Sequence, residues 1–178
     1  VSFTSGMPGS EGTPDPAIFR GPQGQSPWNE GWIMRLSEQG NNRFRWQMVA
    51  TGGEPADGGL GFANPDNLAV DPSGALWMVT DIGTGSQNNP QFNGGVFGTN
   101  SCWVIPSRGP QAGEAFCFAT GPVECELTGL ALTPSGDQLF LAVQHPGERH
   151  GTRNGNAEEA RRFQLQLSNG EPLSQQRW

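Results

Sequence analysis

Glu124-Cys125-Glu126 sets two carboxylates and a thiol just ahead of an apolar run that begins at Leu127. Gln144-His145-Pro146-Gly147-Glu148 follows the next apolar run, and upstream Asp66-Asn67 precedes one run while Asp81 ends another. Oxygen-bearing side chains gathered where strands begin and end can hold a hard cation, calcium above all, because such ions are bound almost wholly by oxygen. Glu126, Asp66, Asn67 and Asp81 are the candidate ligands. His145, Glu124 and Cys125 are the candidates to orient them from behind. Each has a plainer alternative. A carboxylate at a strand start commonly caps a loop, and an Asp-Asn pair commonly bonds its own backbone in a turn. A lone cysteine is commonly an inert core residue, and two acidic neighbours raise its pKa and disfavour a nucleophile. His145 and His150 lie in a Pro/Gly-rich loop with no helical spacing and no third ligand in view, which argues against zinc. His145 then fixes its turn by hydrogen bonding. Ser101 and Ser107 lack the His/Asp context of a serine hydrolase, and Asp71 reads as a structural residue of its own Pro-Ser-Gly turn.

Strands must position these groups. The clearest unit runs from Phe62 to Asp81: a short apolar strand at Leu68–Val70, a Pro72-Ser73-Gly74 turn, and a longer strand at Leu76–Thr80. It recurs about 60 residues downstream, as Leu130–Leu132, Pro134-Ser135-Gly136 and Leu139–Val143, a period longer than the usual ~40–50 residues of a propeller blade. The repeat predicts burial of Leu68, Val70, Leu76, Val79, Leu130, Leu132, Leu139 and Leu141. Ahead of it, residues 31–36 and 43–49 form a hairpin in which Phe44, Trp46 and Met48 alternate with polar neighbours. Between the copies, residues 101–106 and 114–118 pair about a turn-like link. That pairing sets Cys102 opposite Cys117 and allows a cross-strand disulfide in an oxidising compartment. Residues 1–30 form an irregular Gly/Pro-rich covering segment, and 31–148 the blade region. Residues 149–178 make a loop, at most one helical turn near Ala157–Arg161, and a final strand over Arg162–Leu167 with no partner after it.

The expected fold is therefore all-β, a partial β-propeller of about three blades within the four to eight of a closed ring, with long loops. At 178 residues, with 27 Gly, 15 Pro and only 34% hydrophobic residues, the chain is one loop-heavy domain. A formal net charge of −7 excludes a nucleic-acid partner, which requires a basic patch. The chain has no lysine, so chemistry that needs one, in phosphate loops or Schiff bases, is excluded. No apolar run is long enough for a membrane span, and the chain opens without a signal peptide.

Pro65-Asp66-Asn67-Leu68-Ala69, the Leu76-Trp77 strand ending at Thr80-Asp81, Glu126-Leu127-Thr128-Gly129 and Gln144-His145-Pro146-Gly147-Glu148 together resemble the PhoX-type alkaline phosphatases. The likeness covers roughly residues 31–148, as the later part of the ring. It implies a secreted six-bladed propeller, periplasmic or extracellular, that hydrolyses phosphomonoesters with calcium (Ca2+) and iron (Fe3+) in its central channel. By the same resemblance Glu126 bridges metals, and Asp66, Asn67 and Asp81 lie among the channel ligands. Two positions depart from the family. None of the three cysteines stands in the context of its iron-binding cysteine. Glu124 stands where catalytic members carry a phosphate-holding arginine.

The leading expectation is a portion of a metal-dependent phosphatase acting on a small phosphate ester, inactive as an isolated chain. The alternatives are a calcium-holding propeller that binds a partner without catalysis, and a propeller lactonase with one cation. Open propeller flanks, with Trp32, Trp46, Phe163 and Leu165 nearest them, predict self-association.

Overall fold

The computed structural model describes residues 1–4, 29–89 and 97–145, with the backbone of 165–166 and 172–173. Its strands are β1 (Ser2–Phe3), β2 (Trp32–Glu38), β3 (Phe44–Thr51), β4 (Pro65–Val70), β5 (Leu76–Thr80), β6 (Ser101–Ile105), β7 (Phe116–Thr120), β8 (Glu126–Leu132), β9 (Leu139–Gln144), β10 (Leu165–Gln166) and β11 (Pro172–Leu173). Among the described residues the helical content is a single 3-10 turn, Pro55–Asp57. The sheets are β1-β2-β3, β4-β5-β6-β7, β8-β9 and β10-β11, all antiparallel. The chain is all-β, and its four-stranded meander is the unit from which propeller blades are built.

The four-stranded sheet lies between the β1-β2-β3 and β8-β9 sheets because its strands are apolar on both faces. Side chains alternate along β5, so Met78 points one way and Val79 the other. Met78 packs with Ile33, Ala50, Phe62 and Ile105, which joins the meander to the first sheet. Val79 packs with Cys102, Cys125 and Leu127, which joins it to β8. A third cluster, Trp32, Met34 and Met48, lies at the base of the β2–β3 hairpin.

Both copies of the repeat fold alike. In each, the inner strand carries a β-bulge: the register shifts between Pro65 and Leu68 in β4 and between Thr128 and Ala131 in β8. Each Pro-Ser-Gly turn is tied by a carboxylate. Asp71 accepts from the Ser73 hydroxyl (2.6 Å) and the Ser73 and Ala75 amides, and its other oxygen accepts from the Trp77 indole at 3.0 Å. In the second copy Asp137 accepts from the Thr133 and Ser135 hydroxyls.

Several expectations need correction. Val79 is fully buried, but Leu68, Leu76, Leu130, Leu132, Leu139 and Leu141 are half-buried and Val70 is 66% exposed. Among the described strands β8–β9 pairs with no third strand, so apolar sequence there meets neighbours on one side only. Of Phe44, Trp46 and Met48 along β3, only Met48 is buried. Phe44 and Trp46 are exposed because the hairpin tip runs beyond the surface on which its base packs. Residues 1–30 are not irregular throughout: Ser2 and Phe3 pair with Ile33 and Trp32. Phe3 stacks on Trp32 at 4.6 Å, which buries Trp32 and removes it from any open flank. Of the other flank residues Trp46 is exposed, while Phe163 and the Leu165 side chain lie outside the described residues. The final strand does find a partner, since Leu165 pairs with Leu173.

The β6–β7 register also differs. A bulge between Cys102 and Trp103 sets Cys102 opposite Ala119 and Trp103 opposite Cys117. Cys102 is buried, Cys117 exposed, and both are free thiols. The bulge interrupts the alternation that a disulfide between them would require. The helical turn near Ala157–Arg161 lies outside the described residues.

Candidate metal centre

The β4 bulge sits at Asp66-Asn67, one residue into the strand. Bulges re-aim side chains, and they recur beside functional sites. Asp81 follows β5 directly, and Glu126 opens β8. Although these three residues are far apart in sequence, their carboxylate oxygens all lie within 4.8 Å of one another, each half-buried. Three like charges at that range, partly withdrawn from water, repel one another, and a divalent cation relieves the repulsion.

The neighbouring side chains hold these acids in place. The Gln144 amide donates to Glu126 Oε1 at 2.8 Å, and His145 Nε2 lies 3.6 Å from Glu126 Oε2. Asn67 Nδ2 donates to Asp66 Oδ2 at 3.1 Å. The Asn67 amide oxygen accepts from the Thr128 hydroxyl and from the Gly129 N–H at 3.0 Å, so the two bulges are joined through one side chain. Gly129 is at φ +63° and an added Cβ would meet the Ala142 Cβ at 3.2 Å, which favours glycine there. The Ser2 hydroxyl donates to the Asp66 carbonyl and ties the amino-terminal strand to the same bulge.

Asp66, Asp81 and Glu126 are thus brought together, and Asn67 stands behind Asp66 with its oxygen engaged by β8. His145 adjoins Glu126; Pro146, Gly147 and Glu148 lie outside the described residues. Glu124 is half-buried in the left-handed conformation (φ +61°), and its N–H donates to the Gln87 side chain. Cys125 is buried, and its thiol donates to the Pro122 carbonyl at 2.9 Å. Burial pushes the Cys125 pKa up to about 11, with the charge of Glu126 adding to the rise. Burial is thus the larger cause, ahead of the acidic neighbours. The thiol is thus committed to the carbonyl of its own turn, and it is not among the clustered carboxylates.

Sequence reasoning missed two residues, Gln87 and Asn100, both buried. Each is an amide in a Gly/Asn-rich connector with no periodicity to single it out. Asn100 uses its full capacity: its oxygen accepts from the Thr80 hydroxyl and the Ile82 N–H, and its NH2 donates to the Ile82 and Cys125 carbonyls, both at 3.0 Å. Gln87 Nε2 donates to the same two carbonyls, at 3.0 and 3.1 Å.

The strands and their pairing define an all-β chain that carries part of a propeller, and its two repeats gather three carboxylates into a candidate cation site. Residues 10–147 match the family described as Alkaline phosphatase PhoX, and the chain belongs to that family. The match reaches into the Gly/Pro-rich segment ahead of residue 31. The chain also resembles the solved structure "Pseudomonas fluorescens PhoX in complex with vanadate, a transition state analogue", at 28% identity and a TM-score of 0.58. The likeness covers 92% of this chain and 28% of that one, so the chain spans less than a third of its relative's length. No curated protein matches. Among the described residues no helix is long and apolar enough to cross a membrane.

Proposed function

We propose that this chain supplies part of the metal-holding channel of a secreted, PhoX-like phosphatase that hydrolyses phosphomonoesters. The observation that carries the reading is the convergence of Asp66, Asp81 and Glu126. Hard, charged oxygens fit calcium, and the three carboxylates would hold it. A bound calcium supplies a Lewis-acid contact for a phosphoryl oxygen. The chain's own residues do the rest. Gln144 and His145 each engage one oxygen of Glu126, which fixes the plane of its carboxylate. Asn67 orients Asp66 and binds it to β8. Support for the substrate class comes from the family and from the relative's vanadate, a transition-state analogue. Iron, which the resemblance also implies, would draw its ligands from outside the cysteines of this chain, since the Cys125 thiol is engaged elsewhere.

Calcium titration of the pure chain by calorimetry tests the reading. Saturable binding weakened at least about tenfold by Glu126→Gln is expected. No binding, or binding indifferent to that change, would contradict it.

A second reading keeps the calcium but not the catalysis, and Glu124 favours it: a half-buried carboxylate close in sequence to Glu126 repels an anionic ester. Turnover of an aryl phosphate by a full-length protein that contains this chain separates the two. The isolated chain is expected to give none, because it holds only part of a coordination shell.

A further inference from the structure

The connector between β5 and β6 begins at Asp81, directly after β5, and ends at Asn100. In sequence it looks like a spacer. Near its start Gln87 and at its end Asn100 are buried, and both aim at one place. Their two NH2 groups bridge the same two carbonyls, Ile82 and Cys125, in a closed ring of four hydrogen bonds. The Ile82 carbonyl belongs to the residue after Asp81. The Cys125 carbonyl belongs to the peptide bond that enters Glu126. The Ile82 N–H, in the peptide bond that leaves Asp81, donates to the Asn100 oxygen. Gln87 also accepts from the Glu124 N–H, in the peptide bond that enters Glu124.

We propose that Gln87 and Asn100 form a clamp that sets the separation of Asp81 and Glu126, which makes these two amides positioning residues of the cation site. The inference rests on the metal reading above. Two carboxylates on different sheets drift apart under their own repulsion unless backbone bonds resist it. Here each of the two carbonyls accepts from both amides, which leaves neither peptide free to rotate. The ring is buried, so its bonds do not compete with water, and loss of one amide leaves carbonyl oxygens short of partners. Neither amide touches a carboxylate oxygen, so the clamp acts through the backbone and its residues are positioning residues.

The test is calcium calorimetry on the whole chain, with Gln87→Met, a volume-matched change, made alone and in an Asp81→Asn background. Calcium-free melts check that each variant folds, and Gln87→Leu replaces Gln87→Met if the latter does not. Gln87→Met is expected to weaken calcium binding about 10-fold or more, the usual cost of removing support behind a metal ligand. In the Asp81→Asn background the same change should cost less than about 2-fold, because the clamp then has one carboxylate fewer to position. Equal losses in both backgrounds, or unchanged calcium affinity in a folded Gln87 variant, would overturn the clamp while leaving the cation site standing. If the unaltered chain binds no calcium, the cation reading fails and the clamp falls with it.

Discussion

The two copies of the repeat fold to the same plan and do different work. In β4–β5, Pro65 pairs with Thr80, Ala69 with Trp77 and Val70 with Leu76. In β8–β9 the equivalent pairs are Leu127 with Val143, Ala131 with Phe140 and Leu132 with Leu139. The bulges fall at the same place. Asp66, Asn67 and Asp81 of the first copy correspond to Thr128, Gly129 and Gln144 of the second. Where the first copy has oxygen-bearing side chains, the second has hydrogen-bond donors, and those donors hold the proposed site: Thr128 and Gly129 through Asn67, Gln144 through Glu126. Glu126 is the second copy's own addition, at the start of its strand. On the proposed reading the first copy gives two of the three ligands, Asp66 and Asp81, while the second gives Glu126 and the donors behind the site, and neither makes the centre alone.

They differ in burial as well. The first copy sits inside a four-stranded sheet with clusters on both faces, whereas the second pairs only with itself among the described strands. The largest expected effect follows from this. Met78→Ala should cost about 2–5 kcal/mol of unfolding free energy in urea melts, the range for a large core truncation, and Leu141→Ala distinctly less. Equal losses would mean that both hairpins are equally packed.

Within the site, Gln144→Leu keeps every carboxylate and removes only support. It should weaken calcium about tenfold, and less than Glu126→Gln does. A supporting residue as costly as a ligand would break the division of labour. Asn67→Ala removes the bridge between the bulges and should destabilise the chain by about 1–3 kcal/mol, as for a part-buried polar partner lost.

The smallest effects lie in the turns. Burial pushes the Asp71 carboxyl up, but its bonds from Ser73, Trp77 and Ala75 outweigh that and leave its pKa below the ordinary value. A depressed carboxyl stabilises the fold above its unfolded pKa, about 3.9, and that contribution fades as pH falls through the folded value. Melts of Asp71→Asn should therefore fall below those of the unaltered chain at neutral pH and converge with them in acid. Asp137 is lowered by the Ser135 and then the Thr133 hydroxyl. Being fully exposed, it should show the same trend more weakly.

The sequence made much of this legible. Repetition of Leu-Ala with Pro-Ser-Gly located β4, β5, β8 and β9 to within a few residues, because apolar alternation and turn chemistry are local. Asp66, Asp81 and Glu126 stood out because each acid lies at a strand end. The rest is set by tertiary contact. A bulge moved Cys117 from Cys102 to Trp103, and no local signal marks it. Half-burial of Leu130 and Leu139 depends on which sheet lies opposite. Gln87 and Asn100 look like ordinary loop residues until the fold brings Cys125 to them.

Crystals of the chain soaked in calcium and measured for anomalous scattering would test the centre most directly. The expected result is one ion within roughly 2.3–2.6 Å of oxygens from Asp66, Asp81 and Glu126. A fully soaked crystal with no ion there, or with calcium bound only at other acids, would contradict the account.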